Sequence, residues 1–150
     1  MKKAYYKLIL LIFVAAIGTT TVAQNYNFPS RELVESILND IDYCKNELKE
    51  AESNVAEMQG NPESYSLADY MNTKILIKRI KTCINVKRGQ LDELRKEYPG
   101  WFNSPSAFSD IRIRWGGGPD PKAVNRLLDD MARRISEVLN DFDTIEKPTN

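Results

Sequence analysis

Apolar residues recur along this chain with the period of a helix rather than a strand. Between Ser30 and Gly60, the residues Ile37, Ile41, Cys44, Leu48, Ala51, Val55 and Met58 follow one another at alternating spacings of four and three. Such a heptad seam lets one helix pack along another at a shallow angle. Ser30 suits the N-cap, Glu32 falls in the first turn, and Gly60-Asn61-Pro62 supplies a stop. A helix over about 31–59 is predicted.

The same seam returns between Ser66 and Tyr98, on Ile77, Ile80, Ile84, Leu91, Leu94 and Tyr98, with Lys87 as a polar interruption. Ser66 and Asp69 stand at capping-box spacing, with aspartate in the glutamate role. Gly89 costs about 1 kcal/mol against alanine in a helix interior. Ile75 and Val86 lie off the seam. A helix that is apolar on two sides touches two neighbours, so the helix at 66–98 is expected to be central, ending at Pro99-Gly100. A third helix is predicted over 121–142, from Asp120 as N-cap and Pro121 at the first position, with Val124, Leu128, Met131, Ile135, Val138 and Phe142 as its seam. Residues 144–150 read as a frayed tail.

Residues 99–119 differ in kind: they hold both tryptophans and four of the seven glycines. Ile111-Arg112-Ile113-Arg114-Trp115 alternates like a strand, yet a lone strand would leave its backbone groups unpaired. Ser104 and Pro105 can open a short helix that places Phe108, Ile111 and Trp115 on one side. The expectation for 104–115 is a short helix or an irregular packed loop. The fold class is therefore all-α: an antiparallel helical hairpin plus a third helix, with the connector as a short fourth.

The first 23 residues are a different kind of segment. Lys2, Lys3 and Lys7 precede an unbroken apolar run from Leu8 to Ile17, and Thr21-Val22-Ala23 places small residues before Gln24. This is the pattern of a cleaved secretory signal peptide, and the run is about half of what a bilayer span needs. The mature chain, 24–150, is expected to be a single domain, exported to a periplasmic or extracellular space, with no membrane span after cleavage.

Export permits oxidation of the two cysteines. If the helices turn back between Gly60 and Ser66, Cys44 and Cys83 lie ~24 and ~26 Å from the turn at ~1.5 Å per residue. At that matched height, facing Cα atoms come within ~4 to 5 Å, so a Cys44–Cys83 disulfide is predicted to clamp the hairpin. Charge agrees with the pairing: residues 31–63 carry nine acidic and three basic groups, and residues 64–98 carry four acidic and eight basic.

Composition removes function classes. There is no histidine, which excludes His-based triads and His-ligated zinc, and two cysteines cannot build an all-cysteine metal site. The chain has 21 basic and 21 acidic residues; losing three leader lysines leaves it weakly acidic, a poor match for nucleic acid. Asp129-Asp130 and Asp141/Asp143 are too close in sequence to share a helix face. Gly116-Gly117-Gly118 lacks the strand-to-helix spacing of a phosphate loop. The chain reads as a non-enzyme with no cofactor and no metal.

Three surfaces remain as candidates. At the hairpin tip, a third helix of only ~33 Å is expected to stop short of the turn. That would leave Met58, Tyr65, Tyr70 and Met71 partly uncovered for a partner, with Val55 and Leu67 beside them. In the connector, Trp101, Phe102, Phe108, Arg112, Arg114 and Trp115 combine stacking faces with guanidinium forks, although the same rings also suit a lid on the bundle end. Along the second helix, Lys74, Lys78, Lys81 and Arg88 form a basic stripe, suited either to an anionic surface or to pairing with the acidic first helix. The expected function is an exported protein-interaction module that docks another protein. One sharper form is an inhibitor or immunity protein that neutralises a toxin or lytic enzyme. The rival is a structural, self-assembling component of the envelope, a homo-oligomer.

Overall fold

The computed structural model describes residues 28–111 and 119–148. The leader, and with it the predicted signal peptide at 1–23, lies outside the described residues, as do Arg112, Arg114, Trp115 and the triple glycine. The described chain forms helix α1 (Arg31–Gly60), α2 (Leu67–Glu97), a short α3 (Pro99–Asn103), a 3-10 turn (Pro105–Phe108) and α4 (Pro121–Asp143). There is no strand among the described residues. The fold is an all-α bundle.

Local chemistry sets the helix ends. The Leu33 N–H donates to the Ser30 hydroxyl at 3.2 Å, and the Lys122 N–H donates to the Asp120 carboxylate at 3.0 Å. Ser66 and Asp69 form a reciprocal capping box, with the Asp69 N–H on the Ser66 hydroxyl and the Ser66 N–H on the Asp69 carboxylate. The Ser66 hydroxyl, which also donates to the Asp69 carboxylate at 2.6 Å, and then the Ser66 N–H hold that carboxyl below the usual carboxylate range. Pro99 does end α2 but also opens α3, because a fixed φ and a missing N–H cost nothing in a first turn.

All seven seam residues of α1 are buried, and so are Ile77, Ile80, Ile84, Leu91 and Leu94 of α2 and the whole predicted seam of α4. The long helices α1, α2 and α4 pack against one another around this single core. The Cys44–Cys83 disulfide joins α1 to α2 with Cα atoms 6.5 Å apart, wider than the facing-helix geometry predicts but inside the usual range. Polar ties complete the frame. Arg134 of α4 forks onto Glu52 of α1 at 2.7 and 2.6 Å, Arg79 and Lys87 of α2 pair with Glu47 and Asp40 of α1, and Arg88 pairs with Asp129 of α4.

Three expectations need correction. First, the third long helix does not stop short of the hairpin turn. The Tyr70 ring stacks on Phe142 of α4, centroids 4.6 Å apart, and the tail beyond α4 continues over the tip. There Tyr65 donates its hydroxyl to the Glu146 carbonyl at 2.6 Å, and Ile145 packs on the core. Register is the reason: α4 runs level with α1, Arg134 beside Glu52 and the Asp141 carbonyl beside Gln59, so the helix begins part-way along the hairpin and ends at its turn. Second, residues 144–148 are consequently packed at the tip rather than frayed. Third, α2 does touch both neighbours, but Ile75 and Val86 contribute to neither contact: both face solvent.

Candidate functional site

The placement of the sequence-derived candidates separates sharply. At the tip, Met58 is buried, Tyr65 and Tyr70 are half-buried in the contacts just described, and Met71 alone is exposed, at 43%. Of their two companions, Val55 is buried and Leu67 half-buried.

In the connector, Trp101 is fully buried, with its indole N–H donating to the Pro119 carbonyl at 3.2 Å. Phe102 and Phe108 meet it edge-on at 5.4 and 6.3 Å, and Phe28 reaches Phe108 at 6.4 Å. The Arg95 guanidinium lies 5.1 Å from the Phe102 ring centre. These rings form a lid on the end of the bundle away from the hairpin turn. Apolar rings gain about 1.5 to 3 kcal/mol when buried, which is the force that gathers them there.

The basic stripe is brought together on the outer side of α2. The buried face of this helix comprises Thr73, Leu76, Ile77, Ile80, Ile84, Lys87, Leu91 and Leu94. A 3.6-residue turn therefore points Met71, Lys74, Ile75, Lys78, Lys81, Thr82 and Val86 away from the core. Ile75 is 58% exposed and Val86 is 50% exposed. Ile75, Lys78, Arg79, Thr82 and Cys83 line a shallow, largely apolar depression on this side.

The charges on the face are uneven. Residues 70–91 contain six basic groups and no carboxylate. Arg79, Lys87 and Arg88 are used internally, each bound to a carboxylate of a neighbouring helix. Lys74, Lys78 and Lys81 have no ion-pair partner among the described residues.

At the edge of the face, Tyr43 of α1 is 61% exposed. A hydrogen bond to Glu47 holds its phenol above the usual tyrosine range. The spacing of basic residues marks the lysines but not Ile75, Val86 and Tyr43 as their companions. The signal for the α2 residues is that Met71, Ile75 and Val86, at steps of four and eleven, fall on the side of α2 opposite the core seam; no periodicity in α2 marks Tyr43, which lies on α1.

No group of acidic or cysteine side chains among the described residues is arranged to hold a metal ion. No described helix is long and apolar enough to cross a membrane. No protein-family model, curated protein or solved structure matches the chain.

Proposed function

We propose that this chain is an exported, non-enzymatic interaction module that holds the outer face of α2 against a partner protein rich in carboxylates. One observation carries the reading. Three lysines without internal partners flank exposed Met71, Ile75 and Val86, on a stretch of 22 residues (70–91) that has no acidic side chain. Apolar side chains supply contact area, and the uncompensated charge selects an acidic partner and steers its approach. The same charge opposes α2-to-α2 pairing between two copies, which argues against self-assembly through this face. The disulfide and the continuous core keep the face rigid, so little ordering entropy is lost on docking. The basic and apolar leader and the Cys44–Cys83 disulfide support the exported setting.

The test is affinity capture from envelope and extracellular fractions, using the mature protein and a Lys74→Glu, Lys78→Glu, Lys81→Glu variant. The expected result is an acidic protein that purifies with the first and not with the second, and that then binds the purified module with a Kd raised about tenfold or more by charge reversal. Undiminished binding by the variant overturns the reading. So does capture by anionic lipid vesicles alone.

A further inference from the structure

A second feature lies at the hairpin tip, apart from the outer face of α2. Between the end of α1 and the start of α2 is a cavity of about 390 Å³. Glu50, Asn54 and Glu57 enter its wall from α1, and Asp69, Asn72 and Thr73 enter from α2. The spacing explains the gathering: positions i, i+4 and i+7 on one helix, and i, i+3 and i+4 on the other, each fall on one face.

The three carboxylates form no ion pair among the described residues, and Arg79, which borders an adjoining hollow with Glu50, is bound to Glu47. Glu50 and Glu57 make no ion pair among the described residues, Asp69 is held only by the neutral N–H and hydroxyl of Ser66, and no lysine or arginine lines the cavity. A further, independent observation points inward. Thr73 lines the cavity at 2% exposure, and its hydroxyl has no hydrogen-bond partner among the described residues. A buried polar group left unpaired is destabilising, and native structures retain such groups mainly where something else satisfies them. The carboxylates are not gathered for a metal ion. They are spread around a space whose apolar wall is Met58 and Tyr65, with the tyrosine ring held by its bond to the Glu146 carbonyl.

We propose that this cavity binds a linear organic polyamine. Each ammonium carries three donors and full charge, and so can satisfy a carboxylate together with an amide oxygen or the Thr73 hydroxyl. The intervening methylenes would lie on Met58 and Tyr65, as amphipathic amine stems do on apolar surface. Separated charges on the ligand match separated charges on the wall, whereas a compact divalent cation has no such match.

The experiment is calorimetric titration of the oxidised mature protein with spermidine, and separately with magnesium at matched ionic strength. Backbone amide shifts would be followed in parallel. Spermidine is expected to bind saturably at one site, moving amides within residues 50–73, with magnesium failing to displace it. Glu50→Gln with Glu57→Gln is expected to weaken binding about tenfold, since charge-assisted bonds are lost from two exposed positions that the fold does not need. Thr73→Val, nearly equal in volume, is expected to weaken it several-fold with helicity unchanged. Equal displacement by magnesium, shifts scattered over the acidic surface, or undiminished binding by the Glu50/Glu57 variant would each overturn the proposal.

Discussion

Tyr70, in the first turn of α2, stacks on Phe142, in the last turn of α4, with ring planes 29° apart. This pair closes the hairpin tip beside the tail, where Tyr65 and Ile145 make their contacts. Stacked rings contribute about 0.5 to 1.5 kcal/mol beyond their buried area. Tyr70→Ala is therefore expected to cost about 2 to 3 kcal/mol in urea unfolding. It should also speed proteolytic cleavage within residues 144–148 relative to cleavage elsewhere. An unchanged cleavage pattern would mean that the tail is held by Tyr65 and Ile145 without help from the stack.

The disulfide spans 39 residues of sequence. On the chain-entropy account, closing a loop of that size stabilises the native state by about 4 kcal/mol. Paired Cys44→Ser and Cys83→Ser substitutions should lower the denaturation midpoint accordingly while leaving the far-UV helical signal in place, because the core seam is intact without the bond. Loss of helicity at neutral pH would show that the apolar seam alone does not hold the hairpin.

Lys87 sits in the seam of α2 at 8% exposure, its ammonium bound to Asp40 and to Gln90 at 3.0 Å. Asp40 is about half exposed and stays hydrated without its partner. Lys87→Leu is thus expected to be neutral or stabilising, since apolar packing replaces a desolvated charge. Lys87→Ala should cost about 1 to 3 kcal/mol through the space it leaves. Chemical denaturation of the two variants distinguishes them; equal destabilisation would assign the residue's value to the ion pair.

Asp69 gives the acid limb of stability a defined contributor. Its native pKa lies below the unfolded value, so its contribution is present above about pH 4 and disappears as the pH falls through the native value. Asp110 behaves in the same direction, its carboxyl depressed by the hydrogen bond from Arg31. Asp69→Asn should be less stable than the parent protein near neutrality, and the difference should shrink on acidification. A gap that stays constant from about pH 6 to about pH 3 would show that the cap does not depend on the carboxylate charge.

The amino-acid sequence alone determined the three long helices and the main seam, but not the short helix Pro99–Asn103. Ser30, Ser66 and Asp120 start helices by local hydrogen bonding. The four-and-three spacing names seven of the ten buried residues of α1 and six of the seven of α4, and matched heights on two helices pair Cys44 with Cys83. These are short-range or periodic features, so the chain carries them in linear form. The tertiary structure decided which faces remain open. Whether Trp101 serves as ligand platform or lid, and whether Tyr65 and Tyr70 are free or covered, depends on where α4 and its tail come to rest. That position follows from long-range packing between residues some seventy to eighty apart, which no local pattern encodes. The unpaired state of Lys74, Lys78 and Lys81 has the same origin. An acidic helix and a basic helix pack together, but only the lysines and arginines on the shared edges reach a carboxylate, and the rest are left facing outward.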